Sequence, residues 1–300
     1  MTTIGVDVGG TSVRAGVVDD AGVVLATAHG SSREDVDDEI CRVVGELRAE
    51  HAVIAVGLAV AGFVASDRRT VLFAPHLPWR ASAVADRLAQ RIGLPVVLEH
   101  DANAAAVAEY RFGGLRGARV GLLVALGTGI GAALLIDGSV YRGAFGVAPE
   151  LGHLRLVPDG RECPCGKRGC WERYCSGTAL AATARDMGAA ESTGREVAQA
   201  ARAGDPLALA AVDEMARWLG DGLALVADVY DPEVVVIGGG VSGSADLYLD
   251  KAVDRYRALM TGTGHRPVAR VVRAQRGDEA GMVGAAALAA GWVGGAGRVG

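Results

Sequence analysis

Residues 3–30, TIGVDVGGTSVRAGVVDDAGVVLATAHG, decide the fold of this chain. Short Val-rich runs alternate with turn signals such as Gly9-Gly10, a pattern typical of three consecutive antiparallel strands. The same plan returns at residues 118–143, ARVGLLVALGTGIGAALLIDGSVYRG, with a Gly/Thr turn at 127–129. A repeat at this long period indicates two copies of one domain facing each other across a cleft. A ligand site is expected in that cleft.

Between and after the two copies, helical and extended patterns alternate, which predicts an α/β fold. Helices are predicted at residues 36–50, 80–92, 101–113, 178–187, 194–203, 206–229, 244–258 and 278–290. Further strands are predicted at residues 53–60, 95–99 and 268–273, and from residue 233 into three glycines. We expect a small domain made of residues 1–112 and 281–300, and a large domain made of residues 113–280.

Three glycine-rich turns each follow an apolar strand, namely DVGGT at 7–11, LGTGIG at 126–131 and IGGGV at 237–241. Backbone amides at such turns can hold phosphate oxygens, because glycine lets the backbone approach a ligand closely. Each turn taken alone could equally serve a tight hairpin. The chain has no GxxxxGK[ST] motif, and none of its turns fits the GxGxxG fingerprint with a following helix and acidic residue. P-loop and Rossmann-type sites are therefore disfavoured.

The block at residues 150–172, ELGHLRLVPDGRECPCGKRGCWE, joins a metal-ligand pattern to a carboxylate at each end. His153, Cys163, Cys165 and Cys170 offer one imidazole and three thiolates, the ligand set of a closed and structural zinc site. The alternative is that the cysteines are buried apolar residues and that His153 is a hydrogen-bonded core histidine. Three cysteines clustered in glycine-rich, charged sequence favour the zinc site, with a loop over residues 153–170.

Composition favours small-molecule chemistry. A chain of 300 residues suggests about two domains with a substantial core. The net charge of −5 gives no general attraction to nucleic acid or to an anionic membrane. Because the N-terminus shows no leader-like run, a cytoplasmic protein is expected, with Cys41 and Cys175 as free thiols. The most apolar long stretch, residues 280–297, is rich in Ala and Gly and is predicted to be a packed helix.

Together these segments resemble the ROK sugar kinases, and among them the actinobacterial glucokinases. The resemblance covers nearly the whole chain. It rests on the three glycine turns, on AGFV at 61–64, on EHDANAAAVAEYRFG at 99–113 and on VVVIGGGVS at 234–242. The block at 150–172 is its most specific part. The resemblance implies an actin-like (ribonuclease H-like) duplicated α/β fold. It also implies transfer of the γ-phosphoryl group of ATP to a hexose with Mg²⁺, first of all D-glucose to glucose 6-phosphate.

The resemblance also implies roles for single residues. Asp101 is the expected general base, since a carboxylate can accept the proton of the attacking hydroxyl. Sugar contacts are expected from Gly62, His100, Asp101, Glu150, His153 and Glu172. Phosphate contacts are expected from Gly9, Gly10, Thr11, Gly127, Thr128 and Gly129. Gly239 and Gly240 are expected beside the adenosine, and Asp7 is expected to orient Mg²⁺ through water. His153 is expected to bind zinc with one ring nitrogen and the sugar with the other.

Two positions depart from the family pattern. Most relatives carry Asn where this chain has His100, which keeps mannose, an N-acetylated amino sugar and a cyclitol open as substrates. Relatives often carry Lys where this chain has Ser12. Arg14 lies on the same strand face and could supply that charge, or it could be an ordinary exposed arginine.

Other functions of the same family are weaker alternatives. A sugar-responsive repressor would carry a helix-turn-helix domain, and the residues before Asp7 leave no room for one. A sugar-binding protein without activity is disfavoured because Asp101 and all three glycine turns are present. The phosphoryl donor (ATP, another nucleoside triphosphate or polyphosphate) stays open, and a homodimer or homotetramer is expected.

Overall fold

The computed structural model of the protein describes residues 1–190 and 193–295. The chain forms two compact units. The first consists of Met1–Gly117, Ala133–Pro149 and the described residues from Asp278 onward, and the second of Ala118–Ala132 and Glu150–Gly277. The domain boundaries predicted from the sequence stay a prediction, and residues 296–300 of the small domain lie outside the described part of the chain.

Both units combine strands and helices, which confirms the predicted α/β class. The strands are β1 (Thr3–Val8), β2 (Val13–Val18), β3 (Val24–Gly30), β4 (Val56–Val60), β5 (Phe63–Val64), β6 (Val71–Phe73), β7 (Arg80–Ser82), β8 (Val96–His100), β9 (Val120–Leu126), β10 (Ile130–Ile136), β11 (Ser139–Tyr141), β12 (Val234–Gly238) and β13 (Arg270–Arg273). The helices are α1 (Val36–Glu50), α2 (Val84–Ile92), α3 (Asp101–Phe112), α4 (Gly177–Asp186), α5 (Gly194–Arg202), α6 (Pro206–Tyr230), α7 (Ala245–Leu259) and α8 (Ala280–Val293).

Two five-stranded sheets share one topology. Their strand orders are β3-β2-β1-β4-β8 and β11-β10-β9-β12-β13. In the first sheet, β1 to β3 pair in antiparallel fashion, whereas β4 runs parallel to β1 and to β8. In the second sheet, β10 and β11 are antiparallel, and β12 runs parallel to β9 and to β13. The repeated order agrees with the duplication predicted from the two similar stretches.

The interior parallel strands β4 and β12 are buried throughout. Every residue of β4 (VGLAV) and of β12 (VVVIG) is buried. Continuous apolar runs of this kind are expected where helices cover both faces of a sheet. The carboxyl ends of these strands lead into the segments that carry the candidate site residues.

Helix α8 packs its backbone directly onto the first sheet and onto α3. A Cβ added to Gly57 on β4 would lie 1.9 Å from the carbonyl oxygen of Ala285. A Cβ on Gly284 would lie 1.7 Å from the carbonyl oxygen of Ala104 on α3. Glycine is therefore required at both contacts, because any side chain would push the elements apart.

Two features differ from the sequence-based prediction. The helix predicted to begin at residue 80 begins at Val84, because Arg80–Ser82 forms β7. A three-stranded sheet with the order β5-β6-β7 was not predicted at all. These strands span only two or three residues, which is too short for an alternating pattern to stand out. In the part of the chain that the structure describes, no helix is both long enough and apolar enough to cross a bilayer.

Candidate active site

The first glycine turn joins β1 to β2 and places Asp7 next to it. The N–H of Gly9 donates to the carbonyl of Ser12 at 3.0 Å, which closes the turn. Asp7 faces Arg14 across the hairpin, and their Oδ2 and Nη2 atoms are 3.9 Å apart. Burial and the negative charge of Asp101 raise the pKa of Asp7 to about 6, against the opposing effect of Arg14. Asp7 and Asp101 thus share one electrostatic environment.

Asp101 lies where β8 passes into α3. Its Oδ1 is 3.1 Å from Nε2 of His100 and also accepts the N–H of Ala102 at 2.6 Å. The side chain is 43 % exposed, and its Oδ2 has no hydrogen-bond partner within residues 1–190 and 193–295. Asp101 is the first residue of α3, and His100 is the N-cap of this helix. One carboxylate oxygen is therefore held, while the other remains available to a hydroxyl group.

A buried ionic cluster that sequence reasoning missed lies at the end of β8. The carboxylate of Glu99, only 2 % exposed, accepts Nη2 of Arg142 at 2.5 Å and lies 3.4 Å from Nε of Arg68. Asn103 also donates to it, at 2.9 Å. Burial acts to raise the pKa of Glu99, but the two guanidiniums outweigh burial and hold that pKa below its ordinary value. The cluster fixes the residue that directly precedes His100.

The loop between β6 and β7 covers two of the predicted site glycines. A Cβ on Gly62 would lie 2.7 Å from Cβ of Ala74. A Cβ on Gly10 would lie 2.6 Å from Cβ of His76, whose side chain is exposed. His76 therefore lies against the first glycine turn. No motif surrounds it in the sequence, and only the fold brings it there.

In the second unit, the four predicted zinc ligands converge. The ligand atoms of His153, Cys163, Cys165 and Cys170 all lie within 4.8 Å of one another. Sγ of Cys163 is 3.7 Å from Nδ1 of His153, and the sulfurs of Cys165 and Cys170 are 3.6 Å apart. Tetrahedral zinc with bonds of about 2.0–2.3 Å separates its donor atoms by roughly 3.5–3.8 Å. The four residues therefore fit a zinc ion.

Two carboxylates flank the imidazole of this cluster. Nδ1 of His153 faces the sulfur atoms, whereas Nε2 faces Glu150, with 3.8 Å between Nε2 and Oε2. Oε1 of Glu172 is 3.7 Å from Nδ1 and accepts the thiol of Cys163 at 3.2 Å. The structure thus brings Glu150, His153 and Glu172 together at one edge of the metal cluster.

A tryptophan anchors the metal loop, residues 153–170, on helix α6. Trp171 is fully buried and donates its Nε1–H to the carbonyl of Trp218 at 2.9 Å. A Cβ on Gly222 would lie 2.0 Å from Cε2 of this indole. The absence of a side chain at Gly222 leaves space for the indole ring. The position of the ring in turn fixes Glu172, the next residue along the chain.

The second glycine turn, at residues 127–129, contacts both Glu172 and helix α4. A Cβ on Gly129 would lie 2.4 Å from Oε2 of Glu172. The N–H of Gly177, the first residue of α4, donates to the carbonyl of Gly127 at 2.8 Å. The turn is therefore held between the metal loop and a helix N-terminus.

A cavity of about 750 Å³ opens beside this turn in the second unit. Gly127, Thr128 and Gly240, three of the predicted nucleotide residues, line it. Its apolar wall consists of Leu180, Ala181, Ala198, Val212, Met215, Val241, Leu247 and the ring of Tyr248. Gly239, which has φ +74°, is not among the lining residues, and a Cβ there would meet the carbonyl of Leu126 at 2.4 Å. The cavity combines a polar end with an apolar wall, as expected for a nucleotide.

Known proteins resemble the chain over nearly its full length. The glucokinase of Streptomyces coelicolor is 44% identical over 96% of this chain and 97% of its own. The crystal structure of a ROK family glucokinase from Streptomyces griseus in complex with glucose and AMPPNP is 44% identical. It matches with a TM-score of 0.88 over 97% of this chain and 99% of the other.

The ROK hexokinase of Thermus thermophilus is 35% identical, with a TM-score of 0.84 over 98% of this chain and 99% of its own. These matches confirm the actin-like fold implied by the sequence resemblance. The sequence profile of the ROK family matches residues 3–291. The chain is therefore a member of the ROK family.

Proposed function

We propose that the protein is an ATP-dependent glucokinase, which transfers the γ-phosphoryl group of ATP to D-glucose and yields glucose 6-phosphate. The observation that carries this proposal is the 44% identity, over 97% of this chain, to a glucokinase whose structure contains glucose and AMPPNP. The cavity beside the second glycine turn supports the nucleotide part of the proposal.

Asp101 is proposed as the general base. Its Oδ1 accepts the N–H of Ala102 and lies 3.1 Å from Nε2 of His100, and its Oδ2 can accept the proton of the attacking hydroxyl as the oxygen meets the phosphoryl group. A loose phosphoryl-transfer transition state asks mainly for positioning and charge neutralisation, so a fixed carboxylate is sufficient.

Glu150, His153 and Glu172 are proposed as sugar contacts. Both carboxylates accept hydrogen bonds from hydroxyl groups, and Nε2 of His153 can donate one while Nδ1 faces the metal cluster. Zinc bound to His153, Cys163, Cys165 and Cys170 would have a structural role, since it would fix the loop beside the three sugar contacts.

The two glycine turns are proposed as phosphate sites. Gly9, Gly10 and Thr11 belong to the first, and Gly127, Thr128 and Gly129 belong to the second. Gly239 and Gly240 are proposed beside the adenosine. Mg²⁺, when bound with ATP, neutralises charge on the phosphates. The half-buried carboxylate of Asp7 beside the first turn fits a role in orienting that ion through water.

The assay that tests the proposal measures ADP release from ATP with a panel of sugars. The panel contains glucose, mannose, N-acetylglucosamine, N-acetylmannosamine and a cyclitol, and polyphosphate replaces ATP in a parallel series. We expect ATP and glucose to give the highest kcat/KM. Saturable sugar binding without ADP release from any pair would instead favour the repressor-type alternative.

His100 bears on the sugar preference. Because its Nε2 lies 3.1 Å from Oδ1 of Asp101, we propose that His100→Asn changes kcat as well as the preference among hydroxyl groups. The family resemblance further supports a cytoplasmic homodimer or homotetramer, and size-exclusion chromatography with light scattering tests the oligomeric part.

A further inference from the structure

The lining of the cavity in the second unit carries positive charge. Arg185, Arg195 and Arg202 line the cavity, and none of the described residues that line it is acidic. The whole chain carries a net charge of −5, so the charge of this surface is opposite in sign to that of the molecule as a whole. Its electrostatic potential favours an anionic ligand.

Two of these arginines already have partners. Arg202 forms an ion pair with Asp246 at 2.7 Å and donates to the carbonyl of Gly243 at 3.3 Å. Arg185 is also engaged in an interaction of its own. Arg195 is exposed and has neither a hydrogen bond nor an ion pair within residues 1–190 and 193–295. Within the described chain, Arg195 is therefore the guanidinium of the three that can bind a ligand.

Backbone contacts place Arg195 close to the second glycine turn. It follows Gly194, the first residue of α5, where an added Cβ would lie 2.6 Å from the carbonyl oxygen of Gly177. Gly177 in turn donates its N–H to the carbonyl of Gly127 at 2.8 Å. Adjacent Cα atoms are about 3.8 Å apart, so an arginine one residue beyond Gly194 can extend to a ligand held at the turn.

The same contact brings two helix N-termini together. Helices α4 and α5 begin at Gly177 and Gly194, and their first N–H groups lack partners within each helix. Both helix dipoles favour negative charge in this region. Glu196 is the acidic residue in the first turn of α5. Its carboxylate is bound locally, because it accepts the N–H of Thr193 at 3.0 Å.

We propose that Arg195 binds the phosphate chain of the nucleotide donor and thereby sets the affinity for that donor. This inference rests on the proposed function, since it assumes that the cavity holds a nucleotide. The contact is made in the ground state and the transition state alike, so it should act on the KM for ATP far more than on kcat.

The test measures binding of ADP, AMP and adenosine to the full-length protein by isothermal titration calorimetry. The variants are Arg195→Ala and Arg195→Lys. The matched control is Arg257→Ala, which removes the same charge from an exposed position on α7 outside the cavity. We expect Arg195→Ala to weaken ADP about 10- to 100-fold, as for a lost charge-assisted hydrogen bond, and to leave adenosine unchanged. Arg195→Lys should lie between, and Arg257→Ala should match the wild type.

Steady-state kinetics completes the test. The KM for ATP should rise in Arg195→Ala, while kcat and the KM for glucose stay near wild-type values. Wild-type affinity of both Arg195 variants for ADP, or an equal loss for ADP and adenosine, would overturn the proposal. Failure of the proposed function is distinguishable, because the wild-type protein itself would then release no ADP with any sugar.

Discussion

Among single residues, Asp101 has the most informative surroundings. One carboxylate oxygen accepts the N–H of Ala102 and lies 3.1 Å from Nε2 of His100, and the other has no partner in the described chain. Asp101 could be chosen from the sequence because it stands within a long family-like segment. The cluster of Glu99, Arg68 and Arg142 could not, because its members lie far apart in the sequence and share no motif.

We expect Asp101→Asn to lower kcat by about 10²- to 10⁴-fold, the usual contribution of a general base. The affinity for glucose should stay nearly unchanged, because the amide keeps the size and one acceptor oxygen of the carboxylate. Calorimetry of glucose binding together with the rate of ADP release checks both points. Asp254→Asn on the exposed face of α7 is the control, and turnover retained by Asp101→Asn would remove this residue from the mechanism.

A pH-dependent stability is expected from Asp7. Its folded-state pKa of about 6 exceeds the ordinary value of 3.8. Between these two pH values, the folded protein therefore binds more protons at this group than the unfolded chain does. The free energy of unfolding contributed by this group therefore falls as pH rises through this window. Asp7→Asn should be more stable than the wild type by roughly 1–3 kcal/mol at pH 7, and the difference should shrink toward pH 5.

Urea unfolding of the two proteins between pH 5 and 7.5, without nucleotide or Mg²⁺, measures this difference. Arg14→Gln serves as a companion variant, because loss of its charge should raise the pKa of Asp7 further. A stability difference that is the same at every pH would contradict the assignment.

At the scale of elements, a helix or strand could be predicted from the sequence where its apolar pattern was long enough to recognise. Helix α1 was predicted with the bounds that the structure has, Val36–Glu50, and the structure adds that Asp35 caps its N-terminus. The small sheet β5-β6-β7 was missed because its strands are too short to show a period. The metal block was predictable because its ligands lie close together in the sequence, whereas the arginines of the cavity come from separate turns of α4 and α5.

Two glycines on helices should respond oppositely to alanine. Gly222 on α6 leaves no space, since a Cβ would lie 2.0 Å from the Trp171 ring. Gly45 on α1 is exposed, with no atom within 4 Å of an added Cβ. Gly222→Ala should destabilise the protein by about 1–3 kcal/mol and raise the KM for glucose by displacing Glu172. Gly45→Ala should stabilise it by about 0.5–1 kcal/mol.

Thermal or urea unfolding and steady-state kinetics of both variants provide the comparison. Gly45→Ala also serves as the control for the substitution itself. A Gly222→Ala variant with wild-type stability and an unchanged KM for glucose would show that the indole does not hold the metal loop in place.

At the scale of the whole molecule, the metal loop should support both stability and substrate binding. Removal of zinc by chelation, or the Cys165→Ser substitution, should lower Tm by about 5 °C or more and weaken glucose binding. Because Glu172 also lies against Gly129, we expect ADP binding to weaken as well. Elemental analysis, differential scanning calorimetry and ligand titration measure these effects.

Cys41→Ser is the matched control, because Cys41 is a free cysteine on α1 outside the ligand cluster. Its metal content and ligand affinities should equal those of the wild type. Well-folded protein that contains no zinc, with an unchanged Tm after chelation, would show that the cluster is not a metal site.

The glycine contacts of α8 have a consequence for biosynthesis. This helix completes the first unit but is synthesised after all of the residues that form the second unit. Until α8 has been synthesised, the groove on β4 that receives its backbone stays uncovered. The newly made N-terminal segment must therefore wait until α8 has been synthesised, and the second unit has the earlier opportunity to fold.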